Sequence, residues 1–179
     1  MKIQFLQTSI LLLFCATALL PQAWAQSQAI HYTYRNGNPK VSYSEDANAL
    51  FQGPYTLHFR NGKVRAQGHL KDSKENGAWE YFFKNGNPYS KLTYQDGLLQ
   101  GKARYYYRNG VLKEEMNFEA DLGQGPYQSF YRDGTRRSEG IRSGGKFDGP
   151  LTTYRKDGTL KKVVTCNCGK KGKKKQMKD

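Results

Sequence analysis

The feature that most constrains this chain is a phrase that recurs every 24 residues. Its five copies read QGPYTLHFRNG, NGAWEYFFKNG, QGKARYYYRNG, QGPYQSFYRDG and DGPLTTYRKDG. One glycine row marks the start of each copy, at Gly53, Gly77, Gly101, Gly125 and Gly149, and a second ends it, at Gly62, Gly86, Gly110, Gly134 and Gly158. A period held over five copies predicts a repeat architecture in which neighbouring units share one core. Residues 31–43 are a degenerate copy of the phrase, which predicts a cap unit at the N-terminal end of the repeats.

Within each copy, large side chains alternate with polar ones. Trp79, Tyr81 and Phe83 alternate with Glu80, Phe82 and Lys84, and the other copies follow the same two-residue period. Such alternation predicts half-buried strands. The Asn-Gly and Asp-Gly pairs that end the copies predict type I′ hairpin turns, with positive φ at both central residues. A second strand and a second glycine-bearing connection then lead to the next copy. We therefore expect an all-β protein, an elongated stack of five β-hairpin units plus the cap.

The alternation also predicts two faces. The face that carries Tyr55, Trp79, Tyr81 and Tyr127 should form an inner stripe that fills the stack. The opposite register gives one ring per hairpin, followed two residues later by a basic residue: His58, Arg60, Phe82, Lys84, Tyr106, Arg108, Phe130, Arg132, Tyr154 and Lys156. Rings flanked by cations suit an extended anionic or carbohydrate-like partner. The alternative is that these rings pair across strands for stability and that the basic residues keep the sheet soluble.

The phrase resembles the MORN repeat (membrane occupation and recognition nexus), and most closely the variant form of bacterial antitoxins of the YwqK type. Gly53, Tyr55, Phe59, Asn61 and Gly62 carry the resemblance, and the copy from Gly77 to Gly86 is the cleanest. The resemblance implies scaffolding, dimerisation or phospholipid association without catalysis, and for the antitoxin form a toxin partner. Ala103 and Leu151 depart from the aromatic pattern. A shorter, Trp-rich wall-binding repeat is the second resemblance.

The two ends of the chain have their own composition. A basic start, the apolar run 10–20 and Ala23-Trp24-Ala25 predict a cleavable signal peptide over 1–25, with a retained anchor as the alternative. Residues 26–165 form the predicted repeat domain. Residues 166–179 are predicted to be a disordered tail, because about half of the formal charge of +14 lies from Lys161 onward. We expect a periplasmic, secreted or envelope-associated product.

Candidate catalytic and metal-binding residues are sparse. The three histidines, His31, His58 and His69, stand in no pattern of a catalytic triad, so we expect no enzyme activity and no cofactor. Cys166 and Cys168 could form a disulfide, link two chains or supply half of a soft-metal site. No metal site is predicted beyond that pair.

These observations favour a non-catalytic interaction or scaffolding module at the bacterial envelope. The expected partner is another protein, with an envelope glycan or an anionic lipid as alternatives, and export argues against nucleic acid. An antitoxin or immunity-type protein that neutralises an effector is the competing function class. A solenoid fixes a surface but not its partner, so the sequence leaves these alternatives open.

Overall fold

The computed structural model of the protein describes residues 28–167 and 170–175. The predicted signal peptide and Cys168 lie outside these ranges. The described residues form one antiparallel sheet, which is not closed, and contain no helix; accordingly, none of them belongs to a helix that could cross a bilayer. The strands are β1 (Gln28–Thr33), β2 (Pro39–Glu45), β3 (Phe51–His58), β4 (Val64–Lys71), β5 (Lys74–Phe82), β6 (Pro88–Gln95), β7 (Leu98–Leu99), β8 (Gly101–Tyr106), β9 (Leu112–Glu119), β10 (Leu122–Phe130), β11 (Arg136–Ser143), β12 (Lys146–Tyr154), β13 (Leu160–Asn167) and β14 (Lys170–Lys175).

Each strand pairs with its neighbours in chain order, and β7 and β8 lie in line and share one place in the sheet. The predicted all-β stack of hairpins is therefore confirmed, and its hairpins join edge to edge through main-chain hydrogen bonds. Two strands make one repeat, so equivalent residues recur about every 9.6 Å across the sheet. The cap unit is the hairpin of β1 and β2. Its connection to β3 runs from Asp46 to Leu50, which is longer than the two-residue connections further on.

The hairpin turns differ from the predicted type I′ turns. In the turn after β3, Gly62 has a φ of +82°, whereas Asn61 is not among the residues with positive φ. The Gly62 N–H donates to the Phe59 carbonyl at 2.9 Å, and the Asn61 side chain accepts the Lys63 N–H at 3.2 Å. This is a type I-like turn followed by a left-handed glycine. Asparagine is preferred here because its side chain bonds the backbone two residues on.

The type I′ geometry occurs instead at the connections between repeats. Ala120 and Asp121 have φ values of 45° and 66°, and Asp96-Gly97 shows the same pair of positive angles. The starting glycine row, which we expected next to these connections, lies inside the strands. Gly77 has a φ of +75° within β5, where the register with β4 shifts. A Cβ at Gly77 would meet nothing within 4 Å. The glycine is therefore required by the backbone angle of a β-bulge and not by close packing.

One face, called the inner face below, carries the buried side chains. Trp79 is 4% exposed, and its ring centroid lies 5.7 Å from that of Tyr55 and 6.0 Å from that of Tyr81. The indole covers Gly68 of the neighbouring strand so closely that a Cβ there would lie 2.3 Å from the ring. The indole N–H donates to the His69 carbonyl at 3.1 Å. A single sheet thus buries large rings by laying them over small residues on the adjacent strand.

The C-terminal part of the sheet departs from the predicted domain boundary at 165. β13 continues to Asn167, and β14 pairs with it over Lys170–Lys175, where the sequence predicts a disordered tail. Main-chain pairing needs no particular side chain, so an open sheet edge can accept a lysine-rich segment, and lysines at an edge discourage further pairing. Cys166 is buried in β13 and forms no disulfide with a described residue, and the proposed pairing of Cys166 with Cys168 stays a prediction.

Candidate interaction surfaces

The outer face, on the side opposite Trp79, brings the predicted ring row together. The five ring positions (His58, Phe82, Tyr106, Phe130 and Tyr154) occupy equivalent places near the ends of successive first strands, and all are half-buried. Each is paired within its hairpin: Phe82 lies opposite Pro88 and Tyr106 opposite Leu112. Cross-strand pairing therefore accounts for part of their burial, as the alternative interpretation requires. The remaining ring surface is accessible to a partner.

The basic residues of the predicted site lie in the hairpin turns that follow the rings. Arg60, Lys84, Arg108, Arg132 and Lys156 are all exposed and form a row that we call the hairpin margin. Arg60, Lys84 and Arg108 form no ion pair with any described residue. Arg132 lies 5.8 Å from the centre of the Tyr107 ring. Each repeat thus carries one exposed cation in the turn that follows its half-buried outer ring, at a spacing of about 9.6 Å. The ring that Arg132 contacts, Tyr107, does not belong to the outer row.

Hydrogen bonds from side chains to main-chain carbonyls connect the hairpin margin of one repeat to that of the next. The side-chain amides of Asn61, Asn85 and Asn109 donate to the carbonyls of Lys84, Arg108 and Arg132, respectively, at 3.0–3.3 Å. The Tyr107 hydroxyl likewise donates to the Phe130 carbonyl at 2.9 Å. Each turn is therefore anchored to the next one. These bonds hold the backbone of the margin in register without using the charged groups of its basic side chains.

A polar line, which was not predicted from the sequence, lies on the outer face next to the rings. Directly paired residues run across successive strands: Gln67, Glu80, Lys91, Arg104, Glu115, Gln128 and Glu139. The Lys91 ammonium lies 2.5 Å from the Glu80 carboxylate and holds the pKa of Glu80 below its ordinary value. Burial works to raise the pKa of Glu115, but Arg104 and Lys102 outweigh it, and the net shift is downward. Glu80 and Glu115 are thus paired with nearby cations, and none of these cations belongs to the hairpin margin.

The inner face carries a groove that was not predicted from the sequence either, and we call it the inner trough. It has a volume of about 570 Å³. Its floor is formed by Glu114, Ser129, Ser138, Thr153 and Lys162. The signal was present in the repeat itself, since Ser129 and Thr153 stand where the earlier copies have Leu57, Tyr81 and Tyr105. A single substitution within a repeat does not predict a groove. The groove becomes evident when the strand register shows that the substituted residues are neighbours.

The described residues contain no group of three or more His, Cys, Asp or Glu side chains that could hold a metal ion. His58 belongs to the outer face, and His69 is exposed on β4. The geometry of the described sheet is that of an extended surface with recurring chemical groups.

Comparison with known families identifies the repeat type of the two central units. The family described as MORN repeat variant matches residues 75–96 and 99–120. Each match covers one hairpin of the sheet. The first runs from β5 into β6, and the second runs from β7 through β8 into β9. The match does not extend to an antitoxin-type subfamily. No curated protein matches the chain. The two matched units are similar to a repeat that serves binding and scaffolding, and further hairpins flank them on both sides in the same sheet.

Proposed function

We propose that the protein is an exported, non-catalytic module that binds another protein along its hairpin margin and outer ring row. The observation that carries this proposal is the recurrence of one unpaired cation and one half-buried ring per repeat, held in register by the asparagine contacts. A partner that presents acidic and apolar groups along an extended surface would meet several equivalent positions at once. Each contact can then be weak while the sum is specific.

The binding test compares two sets of charge reversals with the same change in net charge. In the margin set, Arg60, Lys84 and Arg108 are each changed to Glu. In the control set, Lys71, Lys74 and Lys146 are each changed to Glu at the opposite margin of the sheet. All six residues are exposed, so both variants should fold.

Immobilised wild type and both variants are incubated with an envelope extract, and the captured proteins are identified. We expect a protein that wild type and the control set retain and that the margin set loses. Equal loss from both variants would show that capture depends on net charge alone. Equal retention would show that the margin is not the binding surface.

Export is the second part of the proposal, and it rests on the apolar run 10–20 followed by Ala23-Trp24-Ala25. Signal peptidases read small residues at these positions. N-terminal sequencing of the protein from cells should give a chain that begins at Gln26, in the periplasmic or secreted fraction. An Ala25→Tyr variant should accumulate uncleaved. A wild-type chain that keeps residues 1–25 would contradict the proposal.

A further inference from the structure

We propose that the inner trough binds an acidic oligosaccharide. The trough lies on the face opposite the outer ring row and does not rest on the function proposed for the hairpin margin. At about 570 Å³ it is comparable in size to sites that take small ligands. It crosses the strands from β9 to β13, so a ligand would lie across the strands and not along one of them.

The floor of the inner trough is a straight cross-strand line. Glu114 pairs with Ser129, Ser129 with Ser138, Ser138 with Thr153, and Thr153 with Lys162. In the preceding repeats the same line reads Leu57, Ala66, Tyr81, Ser90 and Tyr105. The depression exists because small hydroxyl-bearing residues replace leucine and tyrosine over two consecutive repeats.

The hydroxyl groups of the floor are held in place, but hydrogen bonds to described residues do not occupy all of their donor and acceptor sites. The Ser129 and Ser138 hydroxyls lie 2.6 Å apart and share one hydrogen bond. A hydroxyl offers one donor and two acceptor sites, so this pair keeps hydrogen-bonding capacity. The Thr153 side chain makes no hydrogen bond to a described residue. Ser129 is itself only 6% exposed, so the half-buried Ser138 and Thr153 present the hydroxyl groups that suit a ligand with successive hydroxyl groups of its own.

The walls of the inner trough are aromatic and fixed. On one side, the Tyr127 and Phe147 rings meet edge to face with centroids 5.1 Å apart. On the other side, Tyr107 and Tyr131 donate their hydroxyl hydrogens to the carbonyls of Phe130 and Tyr154. An arginine guanidinium lies 4.3–5.9 Å from the centre of each ring: Arg132 on Tyr107, Arg137 on Tyr131, and Arg142 on both Tyr127 and Phe147. The ring surface that these arginines leave open is presented at little cost in side-chain entropy. The C–H faces of pyranose rings pack against such surfaces while their hydroxyl groups bond the floor.

Charge makes the expected sugar acidic. Four cations line the trough, Lys113, Arg137, Lys161 and Lys162, against a single carboxylate, that of Glu114. Lys113, Lys161 and Lys162 form no ion pair with a described residue, and Glu114 accepts a hydrogen bond from the Tyr127 hydroxyl at 3.3 Å. The excess of positive charge favours a ligand that carries carboxylate groups.

A peptide fits the inner trough less well than a sugar does. Every strand from β9 to β12 is paired on both sides, so a peptide lying in the trough could not add to the sheet as a further strand. Main-chain hydrogen bonds supply much of the affinity when an extended peptide binds to a sheet edge. A peptide in the trough would have side-chain contacts alone.

The test uses tri-galacturonic acid as the probe and Ser129→Tyr as the variant. This substitution recreates the Tyr81–Ser90 pair of an earlier repeat, because Ser129 faces Ser138 as Tyr81 faces Ser90. It should fill the trough without preventing folding, which a urea melt checks. Thr153→Tyr fills the same trough from the next unit and serves if Ser129→Tyr is unstable. Thr152→Tyr, which adds the same side chain one residue from Thr153 on the outer face, is the matched control.

Calorimetric titration should show that tri-galacturonate binds wild type and Thr152→Tyr equally. Binding to Ser129→Tyr should be about tenfold weaker or more. Neutral maltotriose should bind wild type more weakly, and amide NMR shifts should centre on residues 127–153. No binding of tri-galacturonate, equal binding to the filled variant, or equal binding of maltotriose would each overturn the proposal. These outcomes leave the hairpin margin untested, so the two proposals fail separately.

Discussion

Neighbouring aromatic residues of one strand play different roles because they lie on opposite faces. Trp79 is almost fully buried over Gly68, whereas Phe82 is half-buried beside Pro88. Removing a buried indole leaves a cavity in addition to the lost transfer free energy. Removing a ring that is paired on one side loses a cross-strand contact. The difference between these two positions could be predicted from the two-residue alternation alone.

Trp79→Ala should lower the free energy of unfolding by about 3–5 kcal/mol, and Phe82→Ala by about 1 kcal/mol. Urea melts of the two variants measure both values. Phe82→Ala should weaken partner binding while the fold persists. Equal losses of stability would mean that the two faces are energetically equivalent, and the binding role of the outer row would lose its support.

Gly68 makes a sharper test of the packing around Trp79, because its role was not visible in the sequence. A Cβ at Gly68 would lie 2.3–2.6 Å from the indole, so Gly68→Ala should cost about 1–3 kcal/mol by overpacking. In the Trp79→Ala background the same change should cost little, since the clashing ring is gone. A double-mutant cycle in urea checks this coupling. Additive effects would contradict the packing described.

At the scale of the hairpin, the positions of turns could be predicted from the sequence but their types could not. The Asn-Gly pair marks a turn in either geometry, and only the observed φ of Asn61 separates type I from type I′. The connection at Ala120-Asp121 was predicted to carry a glycine, but neither of its residues is one, and the nearest glycine lies inside β10. Its angles are imposed by the two-residue loop and by the hydrogen bond from the Leu99 N–H to Asp121. The inner trough could not be predicted for a related reason. Only the strand register shows that Ser129, Ser138 and Thr153 lie side by side on neighbouring strands.

The asparagine contacts between turns predict that two matched substitutions change the stability of the fold in opposite directions. Asn109→Asp keeps the acceptor for the Val111 N–H but loses the donor to the Arg132 carbonyl. This should cost about 1 kcal/mol. Asp133, at the equivalent place one repeat later, has no donor to offer the Lys156 carbonyl, so Asp133→Asn should stabilise the fold by a smaller amount. Urea midpoints of both variants test the pair, and shifts in the same direction would contradict the inferred contact.

The polar line on the outer face predicts a pH dependence. The pKa of Glu80 is lowered by its hydrogen bond to Lys91, so its contribution is fully present above the unfolded value of about 4.3. It is lost as the pH falls through the lower folded value. Glu80→Gln should therefore be less stable than wild type at pH 7, by less than about 1 kcal/mol, and equally stable near pH 2. Glu119→Gln, at an exposed site without an ion pair among the described residues, is the control. A difference that persists at low pH would contradict the role of the carboxylate.

At the scale of the whole molecule, each strand of the described sheet contacts the strands beside it and no second layer covers either face. Stability should then be a sum of unit terms and nearest-neighbour terms. A unit can be removed if the two strands left at the junction keep their direction and register. The 24-residue period is the length that satisfies both conditions, because it removes one strand of each direction.

Deletion of residues 88–111 tests this directly. It joins Asn87 to Leu112, which begins β9 as Pro88 begins β6, so the junction repeats a turn-to-strand step that the sheet already contains. We expect a folded protein with the same circular dichroism per residue and a urea m-value lower by about one sixth, in proportion to the lost surface. Deletion of residues 100–111 is the control: it removes one strand instead of two, reverses the direction of everything that follows, and should not fold to a uniform sheet. If both deletions unfold, the units depend on more than their neighbours; if both fold, the antiparallel register described is not what holds the sheet together.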